Sequence, residues 1–241
     1  MTDSYSHMDF AAADPLGDFR ALMAAGGVQR AVLVETLAGD NRRVLETLLE
    51  KPDPAFRLAF RYRPESAADL VARLAHRMVV ALRVNTQQLE SETSYLTAVE
   101  ASGKWLLVHA EKGIAPLAKL LHTAAERHPR LRVYVPHFGW PRRDGQDDPA
   151  WRESLDILER IPGCMLGISS LKHFSREPFP HADLRSFADT VVRRFGATRV
   201  VAGSDFPYVD RARYGEYVRE AHRWIRETCP AWRDAHPFFT E

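Results

Sequence analysis

Eight short apolar runs, each followed by a longer amphipathic stretch, recur along this chain and leave it few folds to choose from. Seven are clear: Ala31 to Val34, Phe56 to Phe60, Met78 to Leu82, Trp105 to Val108, Leu131 to Val135, Cys164 to Ile168 and Arg199 to Ala202. A weaker first run lies within Ser4 to Phe10. Runs that are continuously apolar, rather than alternating, read as strands covered on both faces, and such strands belong to parallel sheets. The stretches between them carry helix punctuation. Asp14-Pro15 reads as an N-cap with proline in the first turn, and Gly26-Gly27 as a stop. Pro64-Glu65-Ser66, Asp148-Pro149 and Asp210 open further helices in the same way. Eight strand–helix units close most simply into one (β/α)8 barrel of the TIM type spanning residues 1–241, an α/β fold. A doubly wound open sheet is the competing architecture.

Composition narrows the function classes. The 241 residues include 33 basic and 32 acidic ones, a formal net charge of +1. That balance gives no electrostatic reason to expect nucleic acid or an anionic membrane as a partner. No apolar run approaches the roughly 18–20 residues of a membrane span. Two cysteines, Cys164 and Cys229, make no disulfide framework, and Met1 to Ser4 lack the pattern of a signal peptide, so a cytoplasmic location is expected. A small-molecule substrate is the remaining partner class. The segment Trp232 to Glu241 docks either on the barrel or on a second subunit, which leaves a homo-oligomer open.

The strand ends carry the chemistry. In order they present His7 and Asp9; Glu35; Arg61 and Arg63; Arg83 and Asn85; His109 and Glu111; His137; Ser169 and Ser170; and Asp205. In a barrel all these ends meet at one mouth, where active sites are built. A lone histidine after a strand is more often structural than a ligand; three histidines and two aspartates at one mouth reverse that reading. Histidine with carboxylate is the ligand chemistry of zinc and related divalent ions. His7 and Asp9, two apart on a strand, point to one face. With His109 and Asp205 they make four candidate metal ligands. Arg61, Arg63 and Arg83 form either an anion pocket for a carboxylated substrate or salt bridges to Glu35 and Glu111. Lys172 and His173 follow strand seven, and Lys172 either reaches substrate or sits on a solvated loop. Trp140 and Phe206 read as packing at the mouth, Cys164 as core, and His122, His128 and His222 as outer-helix residues without a role. The stretch from Pro141 to Pro149 is the most loop-like and reads as a lid.

Two segments carry a resemblance. Val135-Pro136-His137-Phe138-Gly139-Trp140-Pro141 resembles the hydrophobic-x-His-hydrophobic-Gly-x-Pro segment of the amidohydrolase superfamily, and Gly203-Ser204-Asp205-Phe206-Pro207 resembles the Gly-Ser-Asp-aromatic-Pro of its amidohydrolase-related branch. Val80-Ala81-Leu82-Arg83 resembles that branch's fourth strand. The branch includes lactone hydrolases, pyrone-dicarboxylate lactonases and zinc-dependent decarboxylases. The resemblance implies a (β/α)8 barrel with Asp205 as general base, His137 assisting proton transfer or polarising the substrate, His109 as a metal ligand in metal-dependent members, and Arg83 as a substrate contact. The branch opens with Asp-x-His-x-His. Aligned at His7, this chain reads Tyr5-Ser6-His7-Met8-Asp9, so Tyr5 replaces the aspartate and Asp9 the second histidine. A divalent metal, zinc foremost, is expected on His7, Asp9, His109 and Asp205; its loss, as in metal-independent members, is the alternative.

The expected activity is hydrolysis of a small lactone or cyclic carboxylic ester. Decarboxylation on the same scaffold, and a non-catalytic barrel binding a small anion, are the rivals.

Overall fold

The computed structural model describes all residues except 10, 142–147, 235 and 240–241. Eight parallel strands follow one another in sequence order: β1 (Thr2–Ser6), β2 (Arg30–Val34), β3 (Phe56–Arg61), β4 (Val79–Asn85), β5 (Trp105–His109), β6 (Arg132–Val135), β7 (Cys164–Ile168) and β8 (Val200–Ala202). Just past β8 the ring closes on β1. The Asp205 N–H donates to the Tyr5 carbonyl at 2.8 Å and the His7 N–H to the Phe206 carbonyl at 2.7 Å. Strand order with helices between every pair is the (β/α)8 barrel that the sequence pattern implies.

The apolar runs are buried on both faces for the expected reason. Tyr5, Val34, Ala59, Ala81, Leu107, Tyr134 and Met165 fill the barrel interior, while their neighbours in each strand, such as Leu33, Leu82, Leu106 and Leu166, meet the helices. Each fully buried side chain of this size contributes about 1.5–3 kcal/mol to folding. The helix over Pro15–Gly26 starts where Asp14 accepts from the Gly17 N–H at 3.0 Å and ends at Gly27, whose φ of 69° is the left-handed stop. It crosses the helix over Tyr214–Thr228 with backbones in contact: a Cβ placed on Gly215 would come within 2.3 Å of the Gly26 Cα.

Some local expectations change. The first strand starts two residues and ends four residues earlier than the Ser4 to Phe10 run implied, and Met8, with φ 68°, stops the extended backbone beyond it. A short helix, Thr86–Ser91, closed by a reciprocal Asn85–Gln88 cap, precedes the helix over Tyr95–Ser102. Asp210 does not cap the last helix; its carboxylate takes Lys172 and the Tyr217 hydroxyl. His222 is buried and bonded to the Thr2 carbonyl at 2.9 Å. Most of the expected lid, residues 142–147, lies outside the described residues. The C-terminal segment docks on the barrel: Trp232 Nε1 donates to the Val200 carbonyl at 2.8 Å, and Phe238 packs against Trp105 and Tyr134 at the barrel base. Among the described residues no helix is long and apolar enough to cross a membrane.

Candidate active site

A cavity of about 690 Å³ opens at the C-terminal mouth. Its walls include His7, Arg83, His109, His137 and Asp205, delivered by five different strands, with Tyr5 and Trp140 among them. Four strand ends turn into the site through left-handed residues other than glycine: Met8 (φ 68°), His137 (φ 58°), Ser170 (φ 62°) and Asp205 (φ 68°). Each such turn costs about 1–2 kcal/mol, a cost that native structures concentrate at functional sites.

Asp205 is 6 % exposed. Its Oδ2 accepts from the Ser170 hydroxyl at 2.6 Å, and its Oδ1 faces His7 Nε2 across 3.6 Å. Burial raises its pKa to about 7, against the opposing pull of the Ser170 hydrogen bond and the Arg83 charge. His7 Nδ1 lies 2.7 Å from the Val34 carbonyl. A carbonyl only accepts, so the proton is on Nδ1 and the Nε2 lone pair points at Asp205. Burial and the neighbouring Arg83 lower the His7 pKa to about 3, so the ring is neutral. Asp205 and His7 thus present an acidic oxygen and a lone pair to the same small space.

His109 has the opposite polarity. Arg83 donates to His109 Nδ1 at 2.9 Å, which leaves the ring proton on Nε2. His137 Nδ1 lies 2.8 Å from Ser169 Oγ, which already accepts from the His137 backbone N–H. These two contacts fix the orientation of the His137 ring. Burial drives both rings toward the neutral form, His109 to about 3 and His137 well below its ordinary value. The Tyr5 ring lies 5.1 Å from that of His7 and 4.6 Å from that of His137.

Other expected site residues are not brought together here. Asp9 is turned outward by the left-handed Met8; it accepts from the Ala11 N–H and pairs with Arg211 at 3.5 Å. Arg61 donates to the Leu37 carbonyl, and Arg63 pairs with the buried Glu35. Lys172 is held by Asp210. None of these four lines the cavity, so of the expected anion pocket only Arg83 remains. Ser169 and Ser170 stood on the list of strand ends, but their part in orienting His137 and Asp205 was not legible there. His173 and Tyr208 also reach the cavity wall.

The strand-one motif needs a new register. Tyr5 and His7 both reach the cavity, whereas Asp3 accepts from Ser204 and from Tyr214 of the last helix, and Asp9 lies beyond the strand. Set on these positions, the Asp-x-His-x-His pattern is met by Asp3 and His7, with Tyr5 in place of the first histidine.

That register bears on the metal. A catalytic zinc takes three protein lone pairs at about 2.0–2.2 Å from nitrogen and oxygen. Among the described residues no group of three or more His, Cys, Asp or Glu is placed to hold one. The reasons are specific: Asp9 faces Arg211, the Nδ1 lone pair of His109 is taken by Arg83, and Tyr5 offers a hydroxyl where an imidazole would stand. Of the four expected ligands, His7 and Asp205 alone keep a lone pair turned into the cavity. The residues present do not fit a divalent ion.

Comparison with known proteins agrees with this architecture. The amidohydrolase family model matches residues 5–231, and the chain belongs to that family of enzymes. An L-fucono-1,5-lactonase of Burkholderia ambifaria is 30% identical over 109 residues, 44% of this chain and 36% of that protein, so the match spans about a third of the curated relative. A Pseudomonas putida protein described as a 2-pyrone-4,6-dicarboxylic acid hydrolase superposes with a TM-score of 0.76 at 21% identity, over 99% of this chain and 96% of that one. A Burkholderia multivorans amidohydrolase with bound zinc gives 0.71 at 17% over 95% and 93%. A Polaromonas dihydroxybenzoic acid decarboxylase with bound manganese gives 0.61 at 15% over 99% and 96%. At these identities the structural likeness speaks for the fold, and divalent metals occur among the neighbours.

Proposed function

We propose that this protein hydrolyses a small lactone or cyclic carboxylic ester, with Asp205 as general base. The observation that carries the reading is the pairing of a buried carboxylate with a neutral His7 lone pair, 3.6 Å apart in the cavity. A water between them donates one hydrogen to each and turns its own lone pair to the substrate. Its oxygen bonds to the carbonyl carbon while its proton passes to Asp205. The ring C–O bond then breaks, and Asp205 returns the proton to the departing oxygen, which releases a hydroxy acid. His137, held by Ser169, presents its Nε2 to the substrate. The Burkholderia lactonase relative supports the reaction class.

The substrate that suits this cavity is an uncharged lactone. Arg61 and Lys172, on which a carboxylated substrate depended, are engaged elsewhere. A cytoplasmic enzyme with its two cysteines free agrees with this chemistry. Because the ionised Asp205 does the work, Asp205→Asn is expected to lower kcat by about 10²–10⁴-fold with the fold kept, as read by base uptake on a panel of lactones and by circular dichroism. Asparagine tolerates the left-handed turn there. Wild-type turnover in the variant sinks the assignment. Release of carbon dioxide from an aromatic acid, with no base uptake on any lactone, gives the decarboxylase reading instead.

A further inference from the structure

Three of the residues that line the active-site cavity carry a buried proton donor with no acceptor in the protein: the Tyr5 hydroxyl, Arg83 Nε and Trp140 Nε1. Buried donors are nearly always paired, so three orphans around one cavity call for a ligand that accepts. The same cavity holds the Nε2–H of His109, set by the bond that its Nδ1 accepts from Arg83. A metal centre needs the reverse, lone pairs turned inward. We infer that Tyr5 and Arg83 replace the divalent cation of related barrels as the electrophile of this site, holding the substrate carbonyl oxygen as it becomes an oxyanion.

The inference rests on the lactonase reading for the identity of the acceptor, but the polarity argument stands on the protein alone. Tyr5 occupies the inward position of β1 that the family motif gives to a histidine. Arg83 comes from β4, is 3 % exposed, and is fixed by its bonds to the Glu35 carbonyl and His109. Its guanidinium supplies the fixed positive charge, and the phenol a neutral hydrogen bond. Water attack on the carbonyl carbon moves the carbonyl electron pair onto oxygen, between these donors; the pair returns when the ring C–O bond breaks.

The test uses Tyr5→Phe and Tyr5→His in the full chain, with zinc chloride titration as a readout that needs no substrate. The wild type is expected to purify with far less than one zinc per chain and to give no saturable zinc binding by calorimetry. Tyr5→His, which adds a third lone pair beside His7 and Asp205, is expected to bind one zinc per chain. Tyr5→Phe is expected to lower kcat by about 100-fold with KM nearly unchanged and with no loss in Tm, because the hydroxyl it removes has no partner in the protein. A structural role would lower Tm and leave kcat in place. Stoichiometric zinc on the wild type overturns the inference. So does a Tyr5→His variant that binds none, or a Tyr5→Phe variant with wild-type kcat. If the wild type hydrolyses no lactone, the proposed function fails while the two zinc titrations still decide the electrophile.

Discussion

Asp205 is a carboxylate whose charge the fold opposes. Burial holds its pKa near 7, and the Ser170 hydroxyl works against that rise. The sign follows directly. Below about 7 the group is protonated and cannot take a proton from water, so kcat/KM is expected to climb tenfold per pH unit through that range and level off above it. Removing the Ser170 hydroxyl takes away a bond that favours the charged form, so the limb moves to higher pH. Ser170→Gly makes that change and suits the φ of 62°. A pH–rate profile that does not move in this variant counts against Asp205 as the titrating base. At this scale five of the expected residues, Asp205, His7, His109, His137 and Arg83, line one cavity. The sequence reading misplaced Asp9, Arg61 and Lys172. Order along a strand says which face a residue takes only while the backbone stays extended, and Met8 ends that at the decisive point.

At the level of elements, the helices carry their own boundaries. Asp14 and Asp148 each accept a hydrogen bond from the backbone N–H three residues on, as their Asp-Pro pairs implied. Asp14→Ala is expected to cost about 1 kcal/mol and to lower Tm by about 2–4 °C, with activity unchanged, since neither Asp14 nor Gly17 lines the cavity. A melting curve and a rate measurement on the same sample check it. Asp210 shows the limit of such reading. The same residue type before a helix was taken by Lys172 and Tyr217, partners that no local pattern names. The left-handed turns at the strand ends were equally hidden, because His, Ser and Asp at those points carry no glycine to mark them.

For the whole molecule, the eightfold recurrence of apolar runs was enough to read the barrel, because strands covered on both faces leave a long, regular signal. What no run could show is how the base is closed. Phe238 is 3 % exposed and sits against Trp105 and Tyr134, stoppering the end opposite the site. Phe238→Ala is expected to destabilise the protein by about 3–5 kcal/mol, read as a lower denaturant midpoint at constant slope.

The seam between β1 and β8 has a consequence for how the molecule is made. Asp3 is bonded to Ser204, 201 residues along the chain, and the Tyr5 and His7 backbones pair with Asp205 and Phe206 beside it. A ribosome adding about 5–20 residues per second leaves β1 waiting roughly 10–40 seconds for its partner. Through that interval the first strand keeps an open edge. His7 meets Asp205 only when the ring shuts, so the proposed base and its histidine come together only after β8 has been made.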